Sequence, residues 1–468
     1  MKERLVTSFS DVRFWILLTL LIRMIGITDP PIEIGHNWRQ TTVTMVARNF
    51  LETDANILYP RIDIAGEKTG ITGMEFPVFN YTIYLISDLF GYQHWYGRLL
   101  NVIISSLGAW FFYLLTTRHF GAKIAFRATL VFLFSIWLSY SRKIMPDTFA
   151  VSLVIIGMYY FSNFIKKSTY FHLIVGTILI TLGILSKLPA GVVFTPFLLF
   201  LFSKKITLTT KSIILVSFSV ILIPVIWWYF YWVPFLNTTF GFWHFFMGKS
   251  LSEGFQELTS NLPDFLEKFY GTSLFYLGFV VFVAGIFFAI KHKRHAIKWT
   301  LGISFFAICV ILLKSGQTFA HHTYYMIPFL PVMSLVAGVG LASFRFKTIS
   351  TILLIGIIAE GTLNQITDFR IPQSHLSLLE LESELSAFSD SKDLIAINSG
   401  EVPTPMYFAH RKGWVETNQN LLNEQYISEL KMKGLRFIVV LKNGFGTETS
   451  LPYPIQLENK HYLIYSLN

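Results

Sequence analysis

Between positions 29 and 40 the chain reads Asp29-Pro30-Pro31-Ile32-Glu33-Ile34-Gly35-His36-Asn37-Trp38-Arg39-Gln40. Two carboxylates, an imidazole and a guanidinium in one short stretch can accept a proton or hold an anion. Further on, Gly73-Met74-Glu75-Phe76-Pro77 sets a glutamate between two large apolar residues, either at an interface or aimed into a cavity. Ser141-Arg142-Lys143-Ile144-Met145-Pro146-Asp147 places two cations and one acid between apolar runs, and Lys187, then Lys314, His321, His322, Tyr324 and Tyr325, occupy similar connections. Each cation alone could be an interfacial anchor whose stem lies along apolar surface. Taken together, acids and cations of this kind suit a phosphate-bearing substrate. The adjacent His321 and His322 would point about 100° apart on a helix, so hydrogen bonding or phosphate contact is expected rather than metal ligation.

The elements that must position these groups follow from composition. Of the 468 residues, 53% are hydrophobic, 17% aromatic and only 14% charged, and the mean hydropathy is +0.52. An ordinary soluble chain carries about 25% charge, so disorder, collagen-like repeats and a single soluble domain are excluded. The lone cysteine, Cys309, excludes an intrachain disulfide framework and a multi-cysteine zinc site.

Eleven apolar stretches approach the length that a bilayer core requires: residues 14–27, 97–115, 124–140, 148–165, 171–186, 188–202, 212–231, 272–290, 299–313, 324–343 and 349–363. Arg23 and Glu360 lie inside such stretches, facing a cavity or snorkelling to an interface. Basic residues collect in alternate connections, from Lys2, Arg4 and Arg13 through Arg118, Lys123 and Arg127 to Arg345 and Lys347, which predicts a cytoplasmic N-terminus and an extracytoplasmic C-terminus. Of the 28 acids, only Glu3 and Asp11 then fall on the cytoplasmic side. This sorting also accounts for the net charge of +10 without nucleic acid as a partner.

The expected fold is an α-helical polytopic membrane protein with about eleven transmembrane helices. Residues 1–365 form its membrane domain, with long outer segments at 28–96 and 232–271. The second of these holds Trp232, Phe235, Phe240, Phe242, Trp243, Phe245 and Phe246, and both are expected to lie as juxtamembrane helices in the headgroup layer. Residues 366–468 change composition and read as a small α/β domain, with a helix over 376–385 and strands over 393–398, 436–442 and 461–467. Asn80-Tyr81-Thr82 and Asn237-Thr238-Thr239 match a glycosylation pattern that is common by chance.

Several of these motifs, in this order, resemble one family. HNWRQTTVTMVARNF at 36–50, Ile57-Leu58-Tyr59-Pro60-Arg61, GMEFP at 73–77 and Arg98-Leu99 are similar to the first periplasmic loop and second span of C-type membrane glycosyltransferases (GT-C), the aminoarabinose transferase and protein O-mannosyltransferase relatives. Met145-Pro146-Asp147 resembles their second-loop acid, Ser186-Lys187 their lysine before the sixth span, and HTYYMIP at 322–328 their late outer motif. AHRKGW at 409–414 resembles a string typical of the bacterial subgroup.

The resemblance implies transfer of a sugar from a polyprenyl-phosphate carrier to a glycan, lipid or protein acceptor at the outer face of the bacterial inner membrane, with inversion. A carboxylate would be the base: Glu33, or else Asp147 or Asp29. His36, Arg39, Glu75, Arg142, Lys143, Lys187, His321, His322, Tyr324 and Tyr325 would contact the substrate or its phosphate. No cofactor is expected; a divalent metal is left open without a ligand set to support it. The sequence departs from the family where an Asp-Glu pair commonly precedes the loop arginine and His36-Asn37 stands instead. A lipid-linked-sugar flippase, or a non-catalytic subunit of a polysaccharide assembly machine, is the alternative. The clustering of polar groups at one face, with apolar span centres, favours surface chemistry over transport.

Overall fold

A computed structural model describes residues 9–242 and 248–467; Lys2, Glu3, Arg4, Trp243, Phe245 and Phe246 lie outside that range. Every one of the eleven apolar stretches falls on helix. Among the described residues, six helices are long and apolar enough to cross a membrane, and a seventh candidate is the pair Leu262–Ser273 and Phe275–Lys291, bent by 95°. Tyr170–Ser186 and Leu188–Phe202 are apolar but shorter. The 124–140 stretch is broken into Ala122–Leu133 and Trp137–Tyr140. The chain is an integral membrane protein built mainly of helices.

Two compact units divide the chain. The first contains Met1–Ile27, Gly97–Tyr231 and Phe246–Ile366. Its Pro146–Lys167 and Tyr170–Ser186 helices approach through facing glycines: a Cβ on Gly157 would stand 2.8 Å from the Gly176 carbonyl, and one on Gly176 2.9 Å from that of Gly157. Backbones can come this close only where no side chain intervenes. The Leu330–Ser343 helix is buried along nearly its whole length.

Arg23 and Glu360 are both accounted for within this unit. Arg23 is buried rather than snorkelling: its guanidinium donates to the hydroxyls of Ser105 (2.8 Å), Ser106 (2.9 Å) and Ser141 (2.6 Å) and to the Thr19 carbonyl (3.0 Å). Glu360 accepts the backbone N–H of Tyr276 (3.1 Å) and of Leu277 (2.9 Å). It thereby satisfies two of the orphan donors that open the Phe275–Lys291 helix, where its negative charge also suits the helix dipole.

The second unit joins Thr28–Tyr96, Trp232–Phe245 and Thr367–Asn468. Composition led us to expect a tail standing by itself; the tail instead shares a core with the first long segment, joined by Phe242 of the second. Its five strands, β1 (Leu394–Ile397), β2 (Gly413–Val415), β3 (Leu435–Leu441), β4 (Ile455–Glu458) and β5 (Tyr462–Ser466), are ordered β2-β1-β3-β5-β4. β1 pairs parallel with β2 and β3, while β5 is antiparallel to β3 and β4. Along β3, Phe437, Val439 and Leu441 face one core and Ile438 and Val440 the other, as the two-residue period of a strand requires. A sheet with two apolar faces needs a layer on each. Ile427 and Leu430 of the Glu424–Met432 helix help cover one. The other meets Leu378, Leu381 and Leu385 from the tail together with Ile32, Met45, Val46 and Phe50 from the 28–96 segment.

That packing corrects one expectation. The Asn37–Glu52 helix is buried nearly all round, because it packs against the Val78–Phe90 and Thr404–Ala409 helices and its Met45, Val46 and Phe50 enter the core beneath the sheet. The glycosylation patterns are likewise structural. Asn80 is buried and donates to the Val43 carbonyl (2.9 Å), and the buried Asn237 accepts the Gly73 N–H (3.0 Å).

Candidate active site

In the first unit, Asp147 lies in the opening turn of the Pro146–Lys167 helix, directly after a proline whose missing N–H is lost at no cost there. The turn before it is built around Asn101, a buried amide on the Tyr96–Phe120 helix. Its Nδ2 donates to the carbonyls of Tyr140 (3.2 Å), Lys143 (2.8 Å) and Met145 (3.3 Å), and its Oδ1 accepts from Thr148 (3.0 Å). Sequence reasoning passed over Asn101; a lone amide within an apolar run was the available signal.

Lys187 occupies an extended break between the Tyr170–Ser186 helix and the short turn Leu188–Ala190. Its Nζ stands 3.6 Å from Asp147 Oδ1 and 5.4 Å from the centroid of the Tyr324 ring. Tyr324 stacks on His322 (centroids 5.2 Å apart, planes 13° apart) and on Tyr325 (5.1 Å, 24°). Tyr140 meets Tyr324 edge-on at 6.3 Å and bonds the Thr323 hydroxyl, while Lys143 Nζ lies 4.6 Å from the centroid of the Tyr140 ring. Residues read from three separate connections thus converge on one buried acid and its lysine. Arg142 turns to the backbone, donating to the carbonyls of Ile25 (2.9 Å) and Gly26 (2.5 Å). His321 is exposed at the end of the Gln317–His321 helix and does not join the cluster; Lys314 bonds the Lys249 carbonyl.

A buried acid and base in contact stabilise each other only partly, since each has lost its hydration. Here the pair has two aids: the N-terminal end of the Pro146–Lys167 helix, which favours negative charge, and aromatic faces, which favour positive charge.

In the second unit, Asp29 is exposed, whereas Glu33 is buried within the segment leading to the Asn37–Glu52 helix. Ile34 and Gly35 donate their N–H groups to the carbonyls of Arg370 (3.0 Å) and Asp368 (3.2 Å), pinning the segment to the tail. His36 adopts a left-handed conformation (φ 61°, ψ 37°) that turns the chain into the helix. Asn37, at the departure from the family pattern, has a bonding role: its Nδ2 donates to the Glu33 carbonyl (2.9 Å) and its Oδ1 accepts from Thr404 (2.9 Å). Arg39 and Glu75 form a buried ion pair. Among the described residues of either unit, no group of three or more His, Cys, Asp or Glu side chains has the arrangement of a metal site.

These features define a chain of the GT-C fold, as the ordered motifs led us to expect. ArnT from Cupriavidus metallidurans, in a crystal structure bound to undecaprenyl phosphate, is similar with a TM-score of 0.62 at 12% identity, over 97% of this chain and 98% of that one. The oligosaccharyltransferase of Archaeoglobus fulgidus, in its apo form, has a TM-score of 0.56 at 14% identity, over 92% of this chain and 70% of that one. The family model described as dolichyl-phosphate-mannose-protein mannosyltransferase matches residues 74–230. No curated protein sequence matches the chain.

Proposed function

We propose that the protein is a glycosyltransferase that moves a sugar from a polyprenyl-phosphate carrier to an acceptor hydroxyl, at the outer face of a bacterial inner membrane and with inversion at the anomeric carbon. The N-terminus would be cytoplasmic and the 366–468 tail extracytoplasmic. The observation that carries this reading is the buried Asp147–Lys187 pair at the head of a helix within a GT-C fold.

The acceptor oxygen attacks the anomeric carbon while its proton passes to a carboxylate. The bond from that carbon to the phosphate oxygen breaks, and its electron pair leaves with the phosphate. A phosphodiester monoanion thereby becomes a phosphomonoester with one more negative charge, and a cation already in place favours that change over the ground state. Lys187 is the residue we assign to it, with Lys143 and the His322–Tyr324–Tyr325 stack lining the approach. Glu33 is the proposed base, on the resemblance to a family whose base is an acid of the first outer loop shortly before the loop arginine, here Arg39. Arg39 and His36 would then contact the donor or acceptor, Asp147 or Asp29 is the second choice as base, and no cofactor enters the reaction.

The test is turnover of a synthetic polyprenyl-phosphate sugar by purified protein in detergent, read as released polyprenyl phosphate. Loss in Glu33→Gln and in Lys187→Gln with the fold retained supports the scheme. Turnover within threefold of the parent in Glu33→Gln removes the base assignment, and a folded parent that neither cleaves nor transfers from any such donor, while moving it across vesicles, would favour the flippase reading.

A further inference from the structure

The AHRKGW string at 409–414 has no part in the scheme above, yet the second unit builds a cleft of about 580 Å³ around it. Five of its six residues have an evident place. His410, in a left-handed conformation, ends the Thr404–Ala409 helix and sits between Glu52 (2.9 Å) and Glu382 (2.6 Å). Gly413 lies so close to β1 that a Cβ would stand 1.8 Å from the Ile395 carbonyl, and the Trp414 indole fills the space a Cβ on Gly66 would need. Between them, Arg411 and Lys412 both line the cleft.

The cations around the cleft fall into two groups. Arg48 pairs with Asp63 (3.0 Å) and Arg61 with Asp54 (3.0 Å), so their charge is met. Arg411 and Lys412 form no ion pair among the described residues. Arg411 is buried, and its guanidinium donates to the Ser386 hydroxyl (3.1 Å), the Ser389 carbonyl (3.2 Å) and the His410 carbonyl (3.1 Å), while its buried Nε has no acceptor. Lys412 Nζ donates to the Lys68 carbonyl (2.7 Å). Neutral acceptors satisfy the geometry of a cation without cancelling its charge. Burial accordingly pushes both groups below their ordinary pKa values, opposed mainly by Glu382 for Arg411 and by Asp63 for Lys412. Lys392, exposed and also lining the cleft, adds a third cation.

We infer that this cleft is a binding site for an anionic saccharide, a sugar carrying a carboxylate or a phosphate, with the anion on Arg411, Lys412 and Lys392. Its volume is that of a small-molecule site and far exceeds a bare inorganic anion. Asn49, Thr53, Thr69 and Ser391 supply the wall with the neutral hydroxyls and amide that sugar hydroxyls bond. As the acceptor's site the cleft rests on the transfer reaction proposed above; as an anion site it does not.

Binding is measured by calorimetry on the full chain in detergent, with trigalacturonate, glucose 6-phosphate, maltotriose and inorganic phosphate as probes, so that no turnover is needed. At least one of the two anionic sugars is expected to bind tenfold or more tightly than maltotriose and than inorganic phosphate, and which one does so identifies the anion. Lys412→Gln and Lys392→Gln should each weaken it, tenfold or more in combination; Lys392→Gln keeps the test sound should loss of the Lys412–Lys68 bond unsettle the fold. Equal binding of maltotriose, equal binding of bare phosphate, no binding of either anionic sugar, or full affinity in the double variant overturns the inference.

Discussion

Lys187→Gln tests the assignment most directly. The substitution keeps a polar side chain of similar length but removes the charge that stands 3.6 Å from Asp147 Oδ1. At an effective dielectric of about 20, that separation corresponds to an attraction of about 4.6 kcal/mol. Removing one member of a buried pair generally costs about 3–5 kcal/mol, because the other charge stays behind without compensation. Asp147→Asn should cost a similar amount, and the double variant Lys187→Gln/Asp147→Asn should recover most of the loss, since neither charge is then stranded. Turnover should behave differently. If Lys187 meets the charge that develops on the leaving phosphate, kcat should fall about 10² to 10³-fold in Lys187→Gln and stay down in the double variant. Thermal unfolding in detergent gives the stability cycle, and release of polyprenyl phosphate gives the rates. A coupling energy below about 0.5 kcal/mol would show that the two groups do not act as a pair. Recovery of turnover in the double variant would refute the phosphate role, because the lysine would then matter only to the fold.

Asn101→Leu should destabilise by about 2–4 kcal/mol, since three carbonyls of the turn before Asp147 lose a common donor; it should also lower kcat, and chemical denaturation with the transfer assay checks both. Glu360→Leu removes the carboxylate at the start of the Phe275–Lys291 helix and should cost about 1–2 kcal/mol while leaving kcat within about threefold of the parent. The bond to Glu52 holds the His410 pKa above its ordinary 6.5, against burial and Arg48, with Glu382 adding to the rise. Because the folded value exceeds the unfolded one, this contribution is fully present below about pH 6.5 and disappears as pH rises through the folded value. Melting temperature should therefore drop more between pH 6 and pH 8.5 in the parent than in His410→Gln; identical slopes would sever the histidine from that pH dependence.

Hydropathy marked the long apolar helices, because a bilayer core admits backbone only with its hydrogen bonds satisfied internally, but not the shorter Val78–Phe90 helix. The strands β1, β3 and β5 were legible for a related reason: each is a run of β-branched and aromatic residues with a turn at its ends. β2 and β4 were not, being three and four residues long and lying at the edges of the sheet, where little apolar patterning is needed. Residue type also singled out Asp147, Lys187 and the His322–Tyr325 segment as candidates, since acids and bases are costly in so apolar a chain, and the structure brings them together.

What sequence could not decide was partnership. Whether Arg23 snorkels or bonds three serines, whether Glu360 faces a cavity or caps a helix, and whether Asn37 is a lost acid or a brace for the Glu33 backbone depend on residues far away along the chain. The same holds for the tail, whose sheet takes part of its core from residues 32–50. Local patterning records which face of an element is apolar; only the tertiary structure determines what covers it, because burial is settled by contacts whose distance in sequence leaves no local trace.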